Sequence, residues 1–255
     1  MAQQNQTNKT SGPEVSRRVA RAYRILDAAG ELTLRWGYQK TTLEDISRQA
    51  GVAKATIYLH WKTREELFEA LMRREKLAMG AEMIQHIQDD PEGATLRGML
   101  KQSALGVLKR PLLKALLLSD VQVLGKMAQS SHRTESYRER LTGFTTYLEF
   151  LRACGLVRTD LSIKEQVYTL SAIFIGFFLV ALWMPDEYQF SDEALAELMA
   201  RAIHSLEPEN NVSAATLEHV SHRFLRYLEY SLTQAQAQFQ SELEAEQSRR
   251  EENSK

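Results

Sequence analysis

Residues 42–61 read TLEDISRQAGVAKATIYLHW. Thr42 with Asp45 three positions later has the form of a capping box, so a short helix is expected to open there and run to Ala50. Gly51 then supplies a turn, because glycine enters the left-handed conformation without a Cβ clash, and small Ala50 lets two helices cross closely. A third short helix is predicted over about residues 54–61. Ile46, Val52, Ile57 and Trp61 are spaced to face inward, which leaves Lys54, Ala55, Thr56, Tyr58, Leu59 and His60 outward. Helix, tight turn and helix of these lengths have the dimensions of a helix-turn-helix, whose second helix enters the DNA major groove. The outward hydroxyl, imidazole and ammonium groups suit phosphate and base contact.

The flanks extend the helical pattern. Upstream, Val19, Ala22, Leu26 and Ala29 share one face of a predicted helix over residues 16–36 that stops at Gly37. Downstream, Thr63 and Glu66 form a second capping box, opening a fourth helix expected to reach about Gln88. Residues 17–76 hold 13 Lys/Arg against 8 Asp/Glu, about plus 5, although the whole chain carries a formal charge of -1. The positive end is where a polyanion would arrive.

The stretch ILDAAGELTLRWGYQKTTLEDISRQAGVAKATIYLHWKTREELFEAL, residues 25–71, resembles the DNA-binding domain of the tetracycline-repressor (TetR) family over essentially its whole length. The resemblance rests on an ordered set of separated features. These are Ala28-Ala29, Gly37-Tyr38, Thr42 with Asp45-Ile46, Ala50-Gly51-Val52, Thr56-Ile57-Tyr58, His60-Trp61 and Thr63-Arg64-Glu65. It implies that Thr42 caps the second helix and donates to a phosphate, and that Lys54, Ala55 and Thr56 approach base edges and backbone. It further implies phosphate contacts from Tyr58, His60 and Arg64. Three positions depart from the family pattern. Glu44 stands where arginine is common, and either accepts from a cytosine amine or sits in solvent. Ala53 replaces a capping serine, and Thr33 replaces a phenylalanine whose space Leu34 or Trp36 is left to fill.

Beyond a break at residues 89–93 (DDPEG), helical periodicity predicts helices near residues 95–108, 111–119, 121–129, 134–154, 163–184, 192–206 and 214–245. No stretch alternates convincingly enough to be a strand, so the fold class is all-α. The expected organisation is a disordered polar tail (1–16), the helix-turn-helix domain (17–71) with its fourth helix linking to about residue 88, a larger helical domain (89–246) and a charged tail (247–255). The family resemblance implies that this larger domain forms a homodimer through a four-helix bundle and encloses a small-molecule pocket. It also implies that a small apolar effector shifts the fourth helix and releases a repressor from a palindromic double-stranded operator. Met127, Phe144, Tyr147 and Phe177 are candidate pocket residues, with plain core packing as the alternative for each.

Residues 167–184, VYTLSAIFIGFFLVALWM, form an uncharged run of about the minimum length for a bilayer span. Lys164 and Glu165 before it and Asp186 and Glu187 after it argue for burial in a helical core or dimer interface instead. A membrane-associated regulator remains the alternative, and no membrane partner is expected. A single cysteine, Cys154, excludes an intrachain disulfide and fits a reducing, cytoplasmic setting. No nucleotide-binding glycine pattern occurs, and His219 and His222 have no third metal ligand at a supportive spacing. No metal or cofactor is therefore expected, and an all-α enzyme is the remaining, weaker reading.

Overall fold

In the computed structural model the described residues are 11–124, 131–208 and 212–244, and among them there is no strand. Eleven α-helices follow one another: α1 (Ser11–Trp36), α2 (Leu43–Ala50), α3 (Lys54–Tyr58), α4 (Arg64–Asp89), α5 (Leu96–Leu108), α6 (Pro111–Leu118), α7 (Val121–Leu124), α8 (Ser131–Ala153), α9 (Ile163–Val180), α10 (Asp192–His204) and α11 (Ala214–Glu244). The chain divides into two compact units. One holds residues up to Arg74 together with Gln234 onward, and the other is Glu75–Thr233.

The first unit, the head, is organised around one apolar cluster. Ala22, Ile25, Leu26 and Ala29 of α1, Ile46 of α2, Ile57 of α3 and Leu67, Phe68 and Leu71 of α4 are all fully buried. Removing such side chains from water drives assembly, at roughly 1.5–3 kcal/mol for each large one. The expected inward set therefore holds for Ala22, Leu26, Ala29, Ile46, Ile57 and Trp61, whereas Val19 and Val52 are only half-buried. Thr33 is buried too, and its hydroxyl donates to the Ala29 carbonyl at 2.7 Å. Leu34 and Trp36 do not fill the space of the missing phenylalanine, since both are exposed. A threonine that satisfies its own hydroxyl one turn back needs no apolar substitute.

Residues 11–16 belong to α1 and are helical rather than tail. Residues 234–244 of α11, which sequence assigns to the larger domain, group with the head. There Phe239 and Leu243 are buried, and Tyr23 meets Phe239 edge-on with ring centroids 6.4 Å apart.

In the second unit, Leu96, Met99 and Leu100 of α5, Leu148 and Leu151 of α8, Leu170 and Phe178 of α9, Met199 and Ile203 of α10, and Val220 and Phe224 of α11 make the core. Two buried polar groups of this unit are paired. Buried Gln166 donates to the Arg158 carbonyl at 2.6 Å and accepts from Arg152 Nη1 at 2.6 Å. Arg110, buried at the start of α6, donates to both carboxylate oxygens of Glu82 on α4, at 3.1 and 2.6 Å. A forked guanidinium on a carboxylate fixes orientation as well as charge.

Helix α9 ends at Val180, four residues before its expected end, and residues 181–190 continue as turns exposing Leu182, Trp183, Met184, Tyr188 and Phe190. Within α9 itself burial falls on one side: Leu170 and Phe178 are inside while Tyr168 is 78% exposed.

Candidate nucleic-acid interface

Helix α2 starts where its first N–H groups find acceptors. The Thr42 hydroxyl accepts from the Asp45 amide at 3.1 Å, and the Asp45 carboxylate accepts from both the Thr42 amide at 3.3 Å and its hydroxyl at 2.5 Å. The Thr42 hydroxyl, its backbone N–H and Arg48 together hold the Asp45 carboxyl below the usual range. The single Thr42 hydroxyl hydrogen thus points to Asp45, and donation to a phosphate requires it to turn away.

At the other end of α2, Gly51 closes the helix with φ 65° and ψ 41°. Its amide bonds the Arg48 carbonyl at 3.3 Å, and the Val52 amide bonds the Ser47 carbonyl at 3.0 Å. An L-residue there would meet no neighbour but would hold a left-handed backbone. The turn delivers the chain to Ala53, which has the extended conformation of an N-cap but no side-chain oxygen to cap α3. The missing cap seen in the sequence is a missing bond in the structure.

From this base α3 presents Lys54, Ala55 and Tyr58 to solvent, with Tyr58 48% exposed. Thr56 is half-buried and Ile57 anchors the opposite face. Glu44 is also exposed, on the first turn of α2.

His60 and Arg64 are arranged differently. The His60 ring is half-buried, and its Nε2 accepts from Arg21 Nε at 3.2 Å. Its Nδ1 is buried without a hydrogen-bond partner. Burial, followed by the charges of Arg18 and Arg21, pulls its pKa from 6.5 to about 4, so the ring is neutral at pH 7. The Arg64 guanidinium lies 3.9 Å above the Tyr38 ring, close enough for a cation–π contact, and donates to the Tyr38 carbonyl. Tyr38 in turn donates to Glu65 Oε1 at 3.0 Å. The Arg21 bond to His60 and the Tyr38 contacts of Arg64 hold both side chains against the head.

Sequence reading did not single out Arg18 and Arg21. They belong to the basic count of α1, but their acceptors lie on α3 and beyond it, and one of them is 225 residues away. No local spacing could reveal that.

Of the candidate pocket residues, Met127 lies outside the described residues. Phe144, Tyr147 and Phe177 all join the core cluster of the second unit. Tyr147 stacks on Phe224 with centroids 3.9 Å apart and donates to the Ala94 carbonyl, and burial pushes its phenol well above the ordinary value. Tyr147 is buried in that core, and Phe144 and Phe177 pack partly buried against it. A cavity of about 10 Å³ lies elsewhere in the unit, among Met79, Glu82, Met83, His86, Gln102, Leu105, Gly106 and Lys109. That is on the order of one water molecule. Among the described residues no three His, Cys, Asp or Glu side chains gather as a metal site, and His219 and His222 are exposed on α11.

An all-α head that offers a helix-turn-helix with an exposed basic second helix, followed by a larger helical unit, defines a DNA-binding transcriptional regulator. Residues 25–71 match the family model described as bacterial regulatory proteins, tetR family. Those residues carry the DNA-binding domain of that family. The fatty acid metabolism regulator protein of Bacillus subtilis (strain 168) is 27% identical over 192 residues, covering 71% of this chain and 94% of that protein. The HTH-type transcriptional regulator YvkB of the same organism is 26% identical over 172 residues, covering 64% and 84%. Solved structures share the fold. The SmeT–triclosan complex aligns with a TM-score of 0.60 and 23% identity, covering 76% of this chain and 96% of that one. FadR of Bacillus subtilis in complex with stearoyl-CoA aligns with a TM-score of 0.54 and 18% identity, covering 71% and 96%.

Proposed function

We propose that this regulator is a cytoplasmic homodimeric repressor that binds a palindromic DNA operator and is released by a small apolar effector. The observation that carries the DNA half is the outward face of α3, where Lys54, Ala55 and Tyr58 stand free of the head core on a helix anchored behind by Ile57. Lys54, Ala55 and Thr56 are assigned to base edges and adjacent backbone, Tyr58 to phosphate, and Thr42 to phosphate at the N-terminus of α2. His60 and Arg64 join them by trading their contacts inside the head. The head is taken as the unit that runs to Arg74 and includes α11 from Gln234 onward, and Glu75–Thr233 as the effector and dimerisation domain.

The dimer half is supported by α9 and the turns after it, which leave Tyr168, Leu182, Trp183 and Met184 uncovered. A second reading, attachment to a membrane, draws on the same helix, whose 18 residues have a mean hydropathy of 1.4 and are only 17% buried. Packing of Leu170 and Phe178 into the protein core favours the dimer. An apolar effector is supported by the core of the second unit, and by triclosan and stearoyl-CoA in the SmeT and FadR structures. Phe144, Tyr147 and Phe177 pack in that core, which would have to open around such a ligand, and the ligand then shifts the equilibrium only by preferring the opened state.

Selection of bound fragments from random DNA tests the reading. Enrichment of an inverted repeat is expected, and Lys54→Ala should weaken operator and random DNA alike while lowering the salt slope by ~1. Recovery of no preferred sequence overturns it.

A further inference from the structure

Arg18 joins two carbonyls that are far apart in sequence. From α1, its Nε donates to the Leu243 carbonyl on α11 at 3.0 Å. Its Nη2 donates to the carbonyl of Leu59, the C-cap of α3, at 3.2 Å. We propose that Arg18 is a positioning residue for the recognition helix α3, and that the docked end of α11 holds Arg18 in place. This rests on the DNA-binding reading above.

The chemistry favours such a bridge. At Leu59, the C-cap of α3, carbonyls lack intrahelical donors and carry the negative end of the helix dipole, so a cation settles there. Guanidinium is suited to serve two at once, because its N–H groups diverge in a fixed plane and it stays charged. Lysine has a single nitrogen and cannot reproduce that fork.

Helix α3 needs the support. It has five residues, fewer than an isolated helix requires, and no side-chain cap at Ala53. Its C-terminal side is tied to α1 through Arg18 at Leu59 and through Arg21 at His60. Leu59 directly follows Tyr58, so a shift at Leu59 re-aims the residues that face DNA.

The α11 end is a built contact. Phe239 is 3% and Leu243 2% exposed, Tyr23 packs edge-on against Phe239, and Arg73 of α4 pairs with Glu242. Without that docking, Arg18 loses the Leu243 carbonyl, one of the acceptors that orient its guanidinium toward Leu59.

The test uses the full-length chain, with affinity for a selected operator and for random-sequence DNA measured over a range of salt. Arg18→Ala is expected to weaken operator binding about 10-fold, the size of one lost charged hydrogen bond. Random DNA should be affected much less, and the salt slope should stay unchanged. Phe239→Asp, which releases the α11 end without touching Arg18 or the DNA face, should give the same selective loss. The double variant should be no worse than either single one, because the two act in series. Arg18→Lys should not rescue.

Equal loss on both DNAs with a slope reduced by ~1 would make Arg18 a phosphate contact and overturn the proposal. Unchanged operator binding in Arg18→Ala, additive losses, or rescue by lysine would overturn it too. Circular dichroism checks that each variant is folded, and Glu242→Ala with Phe239→Ala replaces Phe239→Asp if the latter is not. A wild-type chain that binds no DNA overturns the DNA-binding reading itself, whereas variants that match a DNA-binding wild type overturn only the role of Arg18.

Discussion

His60 shows how a residue's neighbours override its register. Its position after α3 faces it outward in the helical pattern, yet burial and two arginines of α1 hold its imidazole neutral, with a pKa of about 4. The folded state therefore resists a proton that the unfolded chain accepts near pH 6.5. Stability from this group is fully present above pH 6.5, falls as the pH drops through the window from 6.5 to 4, and changes no further below that. For a half-buried ring, screened in part by solvent, the loss is roughly 1–2 kcal/mol. Hydrogen exchange at the Ile46 and Ile57 amides, compared at pH 7 and pH 5 after correction for intrinsic rates, should show wild type losing more protection than His60→Gln. Parallel losses would mean that the ring is not held neutral. The charge pattern of the sequence marks α1 as basic, but it does not tell which of its arginines meets a ring and which a carbonyl.

At the scale of elements the sequence is far more legible, because caps and breakers act locally. Thr42, Gly51, Thr95, Pro111, Gly155 and Ser162 each sit at a helix boundary or turn in the structure, and each does so through its own backbone or hydroxyl chemistry. Helix α9 is the exception: its apolar run continues past Val180, so hydrophobicity alone placed its end four residues late, at Met184. Nothing in an apolar pattern distinguishes a helix from exposed turns awaiting a partner. Helix α3 offers the clearest test of local reasoning. Ala53 has φ -68° and ψ 145°, already the conformation of a capping residue, and it is exposed. Ala53→Ser should add the missing bond to the α3 amides and stabilise the head by about 1 kcal/mol. The gain is checked by the rise in exchange protection at Ile57. No gain would mean that α3 is fixed by its C-terminal ties alone.

For the whole molecule, the exposed apolar surface decides between an assembly and an isolated chain. Tyr168, Leu182, Trp183, Met184, Tyr188 and Phe190 on α9 and the segment after it, and Tyr227 and Tyr230 on α11, are all exposed. Scattered apolar residues are ordinary on a protein surface, whereas this many large ones on two helices mark an interaction surface. A twofold partner presents the same patch to itself, so one substitution counts twice at the interface. Tyr168→Asp with Trp183→Asp should convert a dimer to a monomer in sedimentation velocity at micromolar concentration. It should also lower operator affinity by far more than affinity for random DNA, since half-site pairing is lost while each head keeps its phosphate contacts. A wild-type chain that sediments as a monomer, or a double variant that remains dimeric with full operator affinity, would move the interface elsewhere. Release of the wild type into detergent from a membrane pellet would assign the same surface to lipid.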